Sequence, residues 1–324
     1  MCAEWLFEQS AKKMQYKNGM KVKHLYIIGN GFDIFTGLRT RYVDFRHWLQ
    51  CSYPFIYENM CEAYEMDGEW WHDFEIQLGK LDVKRYVKKF TPPEKPIEEI
   101  LNEIEERKAF EEKYNLPPSL HHDSECARRL RGLLDVLQYC FEKWIEYETR
   151  EINNPKYTHL ETNDSYFINF NYTDVLQWLY HIKDEQILFI HGRVSKHERL
   201  VFGHNSTHMS GMIGQDEEQT NFELDNYHKN PYEYIFKHDE LPAILSDVEY
   251  VHVYGLSISE VDEDYLDWIE KKTPSDSKWE FSWHTEDDKL RINQFILNHW
   301  RLKERHSLMR LQEISRDEVR ALQQ

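Results

Sequence analysis

Short apolar runs, each closed by a glycine or a polar turn, alternate with amphipathic stretches along this chain. Lys23–Ile28 (K-H-L-Y-I-I), Ser165–Phe170, Gln186–Ile190, Arg199–Phe202, Glu249–Tyr254 and Lys278–Trp283 predict six strands. Val175, Leu176 and Leu179 predict a helix after the second, and a further helix is expected from about Asp262 to Lys271. Thr285 is a good N-cap for a run reaching Trp300. Short buried strands alternating with helices predict an α/β fold with a Rossmann-like, doubly wound, mostly parallel sheet.

Between Arg46 and Asn163 the period changes. Ile97, Ile100, Leu101 and Ile104 recur at helical spacing, as do Leu130, Leu133, Leu137, Phe141 and Trp144. Pro92-Pro93 and Pro117-Pro118 punctuate these helices. The reading is a large helical insertion after the first strand, residues 46–163, set into a Rossmann domain formed by 1–45 and 164–324. The acidic stretch Glu98–Glu112 reads as a solvated helix face. Leu308–Leu322 is amphipathic and suits packing on the core or on a neighbouring subunit, which allows a homo-oligomer.

Composition narrows the classes. The 324 residues carry 40 Lys and Arg against 58 Asp and Glu, a net charge of −18. That balance argues against nucleic acid as the main partner. No apolar run approaches the length of a membrane span and no signal peptide is evident, so a cytoplasmic location is expected, with no membrane partner. Five cysteines, Cys2, Cys51, Cys61, Cys126 and Cys140, are scattered and show no zinc-site spacing, so they are expected as reduced thiols.

Glycine is scarce, with 12 in the chain, so its placement is informative. Gly29, Gly31 and Gly37 cluster after the first strand, while Gly192, Gly203 and Gly255 each end an apolar run. Glycine at strand carboxyl ends is what a nucleotide site in an open α/β sheet requires, because the backbone there turns tightly and approaches a ligand closely.

These residues also carry a family likeness. Gly29-Asn30-Gly31-Phe32-Asp33, Gly37-Leu38-Arg39-Thr40 and Tyr42-Val43-Asp44-Phe45 resemble the opening signature of the AbiH-type phage abortive-infection proteins. Trp71-His72-Asp73-Phe74-Glu75, Phe170-Asn171-Tyr172-Thr173-Asp174, Ile190-His191-Gly192, Val201-Phe202-Gly203-His204 and Tyr254-Gly255-Leu256-Ser257 continue it in order. More distantly, the same blocks are similar to the sirtuin-like NAD-binding fold. The resemblance implies an antiphage protein that binds NAD or a related nucleotide and cleaves it, awaiting a phage-derived or host trigger. It further implies that Gly29, Asn30, Gly31, Phe32, Asp33, Gly37, Thr40, Gly203, His204, Gly255 and Ser257 border the nucleotide. Backbone N–H groups of Gly29 to Phe32 would hold its phosphates.

Three departures stand out. Asp33 places a carboxylate where a diphosphate is expected, so it must point away, cap the helix or bind ribose hydroxyls. Asn171 and Asp174 are three apart where the sirtuin-like pattern has two. The zinc-binding cysteine pairs of many deacylases are missing.

Cleavage of the nicotinamide–ribose bond passes through an oxocarbenium-like centre and needs a base, a group that orients water or the carboxamide, and exclusion of solvent. His191 suits the base and Asn171 the orienting group, with Asp174 and Glu75 as acidic partners of the ribose or of developing charge. Read alone, His191 is a structural histidine, Asn171 a turn former, and Trp71 and Phe74 core packing. His204 and His208 lack a third ligand at metal-site spacing, and no metal is expected; His121-His122-Asp123 with Cys126 reads as a surface helix start. The competing functions are a non-catalytic NAD or ADP-ribose sensor, a nuclease using Asp33, Glu75 and Asp174 with a divalent metal, and, last, a deacylase.

Overall fold

A computed structural model describes residues 21–66, 70–91, 96–114, 124–204, 214–230, 235, 237–259 and 262–322. Six strands, β1 (His24–Ile28), β2 (Ser165–Asn169), β3 (Ile187–Phe189), β4 (Tyr250–Tyr254), β5 (Lys278–Ser282) and β6 (His306–Met309), form one sheet in the order β3-β2-β1-β4-β5-β6. Every pairing is parallel, with Ile27 beside Ile168 on one side and Val253 on the other. Between β1 and β2 run α1 (Asn30–Thr36), α2 (Tyr42–Ser52), α3 (Pro54–Tyr64), α4 (Phe74–Leu78), α5 (Val83–Phe90), α6 (Ile97–Lys113) and α7 (Glu125–Glu148). Then come α8 (Val175–Tyr180), α9 (Gln215–Asp225), α10 (Leu241–Leu245), α11 (Glu263–Lys272), α12 (Glu286–Asn298) and α13 (Arg316–Leu322).

The strands read as near-continuous apolar runs because both faces are covered. Alternate residues divide between two cores: Leu25, Ile27, Val251, Val253, Trp279 and Phe281 pack with α10, α11 and α12. Tyr26, Ile28, Phe167 and Tyr254 face α1, α8 and Val319 of α13. A third core lies among the helices, where Phe45, Trp71, Phe74, Phe141 and Trp144 pack with Tyr172, Leu200, Phe202 and Leu224.

Two strand expectations are corrected. Arg199–Phe202 is not a strand of the sheet: Gly192, at φ 83°, turns the chain so that Val201 N–H reaches His191 O at 2.8 Å. Leu200 and Phe202 then bury in the helical core. The sixth strand is instead His306–Met309, which runs into the start of the segment Leu308–Leu322 read as amphipathic, and within that segment Arg316–Leu322 is helical. The expected mostly parallel, Rossmann-like sheet is borne out, and every one of its pairings is parallel. Pro92-Pro93, Pro117-Pro118, His121-His122-Asp123 and His208 lie outside the described residues. Among the described residues no helix is long and apolar enough to cross a membrane, and Cys51, Cys61, Cys126 and Cys140 are free thiols.

Candidate functional site

The strand order reverses between β1 and β4, so their carboxyl ends form the switch point at which open α/β sheets bind ligands. Glycines from both strands meet there. Gly29 N–H donates to Tyr254 O at 2.9 Å and Gly31 N–H to Gly255 O at 2.7 Å. A Cβ on Gly31 would lie 2.9 Å from Gly255 backbone atoms, and one on Gly255, at φ 68°, would overlap Phe32 N. Phe32 N–H donates back to Gly29 O, and its ring is buried in the core. The glycine loop is thus packed backbone to backbone, and the Gly31 and Phe32 N–H groups proposed for phosphates already have carbonyl partners. Gly37 is different: φ is 111° and the space for a side chain is open, so it serves as the left-handed cap of α1. Asn30 Nδ2 donates to Thr40 O at 2.6 Å, fixing the following turn.

Asp33 points away from the crevice rim and into the protein. Thr173 Oγ1 donates to it at 2.6 Å and Asn171 Nδ2 at 2.8 Å. Asn171 Nδ2 also donates to Gly29 O at 3.0 Å, so this amide ties β2's loop to β1's. Burial raises the Asp33 carboxyl to about 7, even though both hydrogen bonds favour its charged form. Asp174 is committed elsewhere, in a buried ion pair with Arg193, whose Nη1 also lies 3.0 Å from Asp184 Oδ2. Asp33, Asp174 and Glu75 are therefore held by three different sets of partners. Among the described residues no group of three His, Cys, Asp or Glu side chains is placed to hold a metal.

His191 follows β3 and is buried against Phe170, Tyr172 and Tyr265. Its Nδ1 donates to Phe170 O at 3.1 Å, and Nε2 is buried with no hydrogen-bond partner among the described residues. Burial first, then the charge of Lys229, holds the ring well below the usual histidine range, against the Phe170 hydrogen bond. Both effects favour the neutral imidazole, which is anchored at Nδ1.

Lys229, Tyr42, Asp262 and Thr173 are the residues that sequence reasoning missed, and for Lys229 the reason is that a lysine in a polar run carries no signal of burial. It is 1% exposed, and its Nζ donates to Glu75 Oε1 at 2.6 Å. Tyr42 bonds the same carboxylate, and Asp262 faces Lys229 and Glu75 while accepting from Ser259 Oγ at 3.2 Å. Burial pushes Asp262 up to about 6, partly offset by Lys229. The loop into Asp262 carries a further mark: Ile258 is buried at φ 46°, a conformation β-branched residues avoid.

Gly203 and His204 seat Lys229. A Cβ on Gly203 would overlap Tyr227 O; His204 N–H donates to Tyr227 O at 3.0 Å, and Lys229 N–H to His204 O at 2.7 Å. The His204 ring is itself bound to Leu224 O at 3.1 Å. Ser257 lies on the outside of the loop, exposed. The structure therefore brings together His191, Glu75, Lys229, Tyr42 and Asp262, and sets Asn171, Asp33 and Thr173 in a neighbouring tie between the two loops.

No curated protein and no solved structure matches this chain. Residues 25–283, most of the chain and all of the blocks that build the site, match the family model of bacteriophage abortive infection AbiH, and the chain belongs to that family.

Proposed function

We propose that this AbiH protein acts in abortive infection by binding NAD at the β1/β4 switch point and hydrolysing it to nicotinamide and ADP-ribose. The observation that carries this reading is His191: a buried ring with Nδ1 anchored and Nε2 without a partner among the described residues, beside the Glu75–Lys229 pair. In the reaction Nε2 takes the proton from the attacking water or a ribose hydroxyl, while Nδ1–H keeps the ring in one tautomer. Glu75, oriented by Lys229 and Tyr42, supplies negative charge to the oxocarbenium-like centre, and Lys229 favours the unprotonated imidazole. Purified protein incubated with NAD is expected to release nicotinamide, and His191→Ala to release none while still folding, as read by circular dichroism. Folded wild-type protein that yields no nicotinamide over a wide concentration range, with and without extract of phage-infected cells to supply a trigger, overturns the hydrolase.

A second reading, a nucleotide sensor without turnover, is favoured by one observation. Asn171 and Asp174, the expected orienting and acidic groups, are both engaged inside the protein, with Asp33 and Arg193. It predicts that NAD or ADP-ribose raises the melting temperature with no product formed.

A further inference from the structure

Among the described residues, the outer face of α12 carries an exposed stripe of leucines and amides with a pattern of its own. Ile292, Phe295 and Ile296 bury the inner face, yet Leu290 is 66% exposed, Leu297 65% and, just past the helix end, Trp300 75%. Leu290 and Leu297 are seven residues apart, two turns along one face and about 10 Å of helix. Asn293 and Gln294 lie midway between them, so the stripe reads the same from either end: leucine, amide, amide, leucine. The ends differ in net charge. Glu286, Asp287 and Asp288 open the helix, ahead of Lys289 and Arg291, whereas Arg301, Lys303 and Arg305, with Glu304 among them, follow its close. Glu286 and Arg301 each have a loose 3.9 Å ion pair, to Lys289 and Glu270, and the Arg301 guanidinium also lies 5.7 Å from the Trp300 ring centroid.

A stripe that is symmetric in shape and antisymmetric in charge is complementary to itself turned through a half rotation. We propose that two copies of this chain associate through antiparallel α12 helices about a two-fold axis between Asn293 and Gln294. Leu290 of each copy then meets Leu297 of the other, and each acidic opening turn faces the other's basic close. Trp300 lies at each end of the contact. The occupant of this face is a second copy, because the same patch supplies both halves of the match. One helix pair is a small interface, so the association is of the weak, concentration-dependent class. The inference stands apart from the NAD reading, since α12 contributes no residue to the site.

Sedimentation velocity of the full chain between about 1 and 100 μM tests it. The wild type is expected to move towards twice the 39.5 kDa chain mass as concentration rises. Leu297→Asp and Leu290→Lys, both at exposed positions, are each expected to weaken association at least tenfold with unchanged circular dichroism and melting. Leu101→Asp, at an exposed leucine of α6, is expected to leave it intact. A wild type monomeric throughout, a dimer that survives either α12 substitution, or one that Leu101→Asp also abolishes overturns the proposal.

Discussion

At the scale of single residues, the glycines separate by what surrounds them. Gly37→Ala meets open space and only the penalty of its positive φ, a loss of about 1–3 kcal/mol. Gly255→Ala adds to that penalty a clash with the Phe32 backbone, in a core where nothing gives way, so its loss should exceed that of Gly37→Ala and drop the melting temperature further. Thermal melts of the two variants side by side check the order. Asp33 makes a prediction of opposite character. Its carboxyl sits at about 7 in the folded chain against an ordinary 3.8, so the folded state holds a proton that the unfolded state has released. That contribution is fully present below pH 3.8 and is lost as pH rises through about 7. Wild-type stability relative to Asp33→Asn is therefore expected to be greater at pH 5 than at pH 8, read from denaturant midpoints. A gap that is constant or grows with pH contradicts the burial argument.

At the scale of elements, what the sequence made legible is what local pattern dictates. K-H-L-Y-I-I followed by G-N-G reads as a strand and a tight turn because burial on both faces demands apolar residues and the meeting of two backbones demands glycine. Thr285 announces α12 because its hydroxyl is there to accept the Asp288 N–H, at 3.1 Å. Arg199–Phe202 has the composition of a strand, but a turn at Gly192 and the pull of the helical core decide its course, and neither is local. His306–Met309 is too short and polar to announce an edge strand. In the site, His191 and Glu75 stood out by their positions, while their link, Lys229, comes from a segment 154 residues after Glu75. Breaking that link should be expensive. Lys229→Met leaves Glu75 without its cation and is expected to destabilise the protein by about 3–5 kcal/mol. The double variant Lys229→Met/Glu75→Leu, which removes both charges, is expected to recover much of the loss by urea titration. If the double variant is no more stable than the single one, the pair contributes shape and not charge.

At the scale of the whole molecule, the helices between β1 and β2 and the sheet have distinct cores, yet the helical core is closed by residues from beyond β2. Phe202 stacks on Phe141 at 5.3 Å and on Phe74 at 6.0 Å, while Tyr172 meets Phe141 edge-on at 5.1 Å. Those same segments carry the site: Tyr172 adjoins Asn171, and Phe202 precedes the glycine that seats Lys229. Loosening the helical core therefore loosens the attachment of Glu75 and Lys229 to the sheet, and the two parts should unfold as one cooperative unit. Phe202→Ala removes a buried aromatic from the junction and is expected to cost about 3–5 kcal/mol. Unfolding followed by far-ultraviolet circular dichroism and by tryptophan fluorescence should then give coincident transitions in both wild type and variant. The fluorescence reports on both sides, with Trp71 and Trp144 in the helical core and Trp279 in the sheet core. Two separated transitions in the wild type would mean that residues 46–163 fold as a body of their own, and that the contacts of Phe202 and Tyr172 are docking contacts that do not couple the two parts.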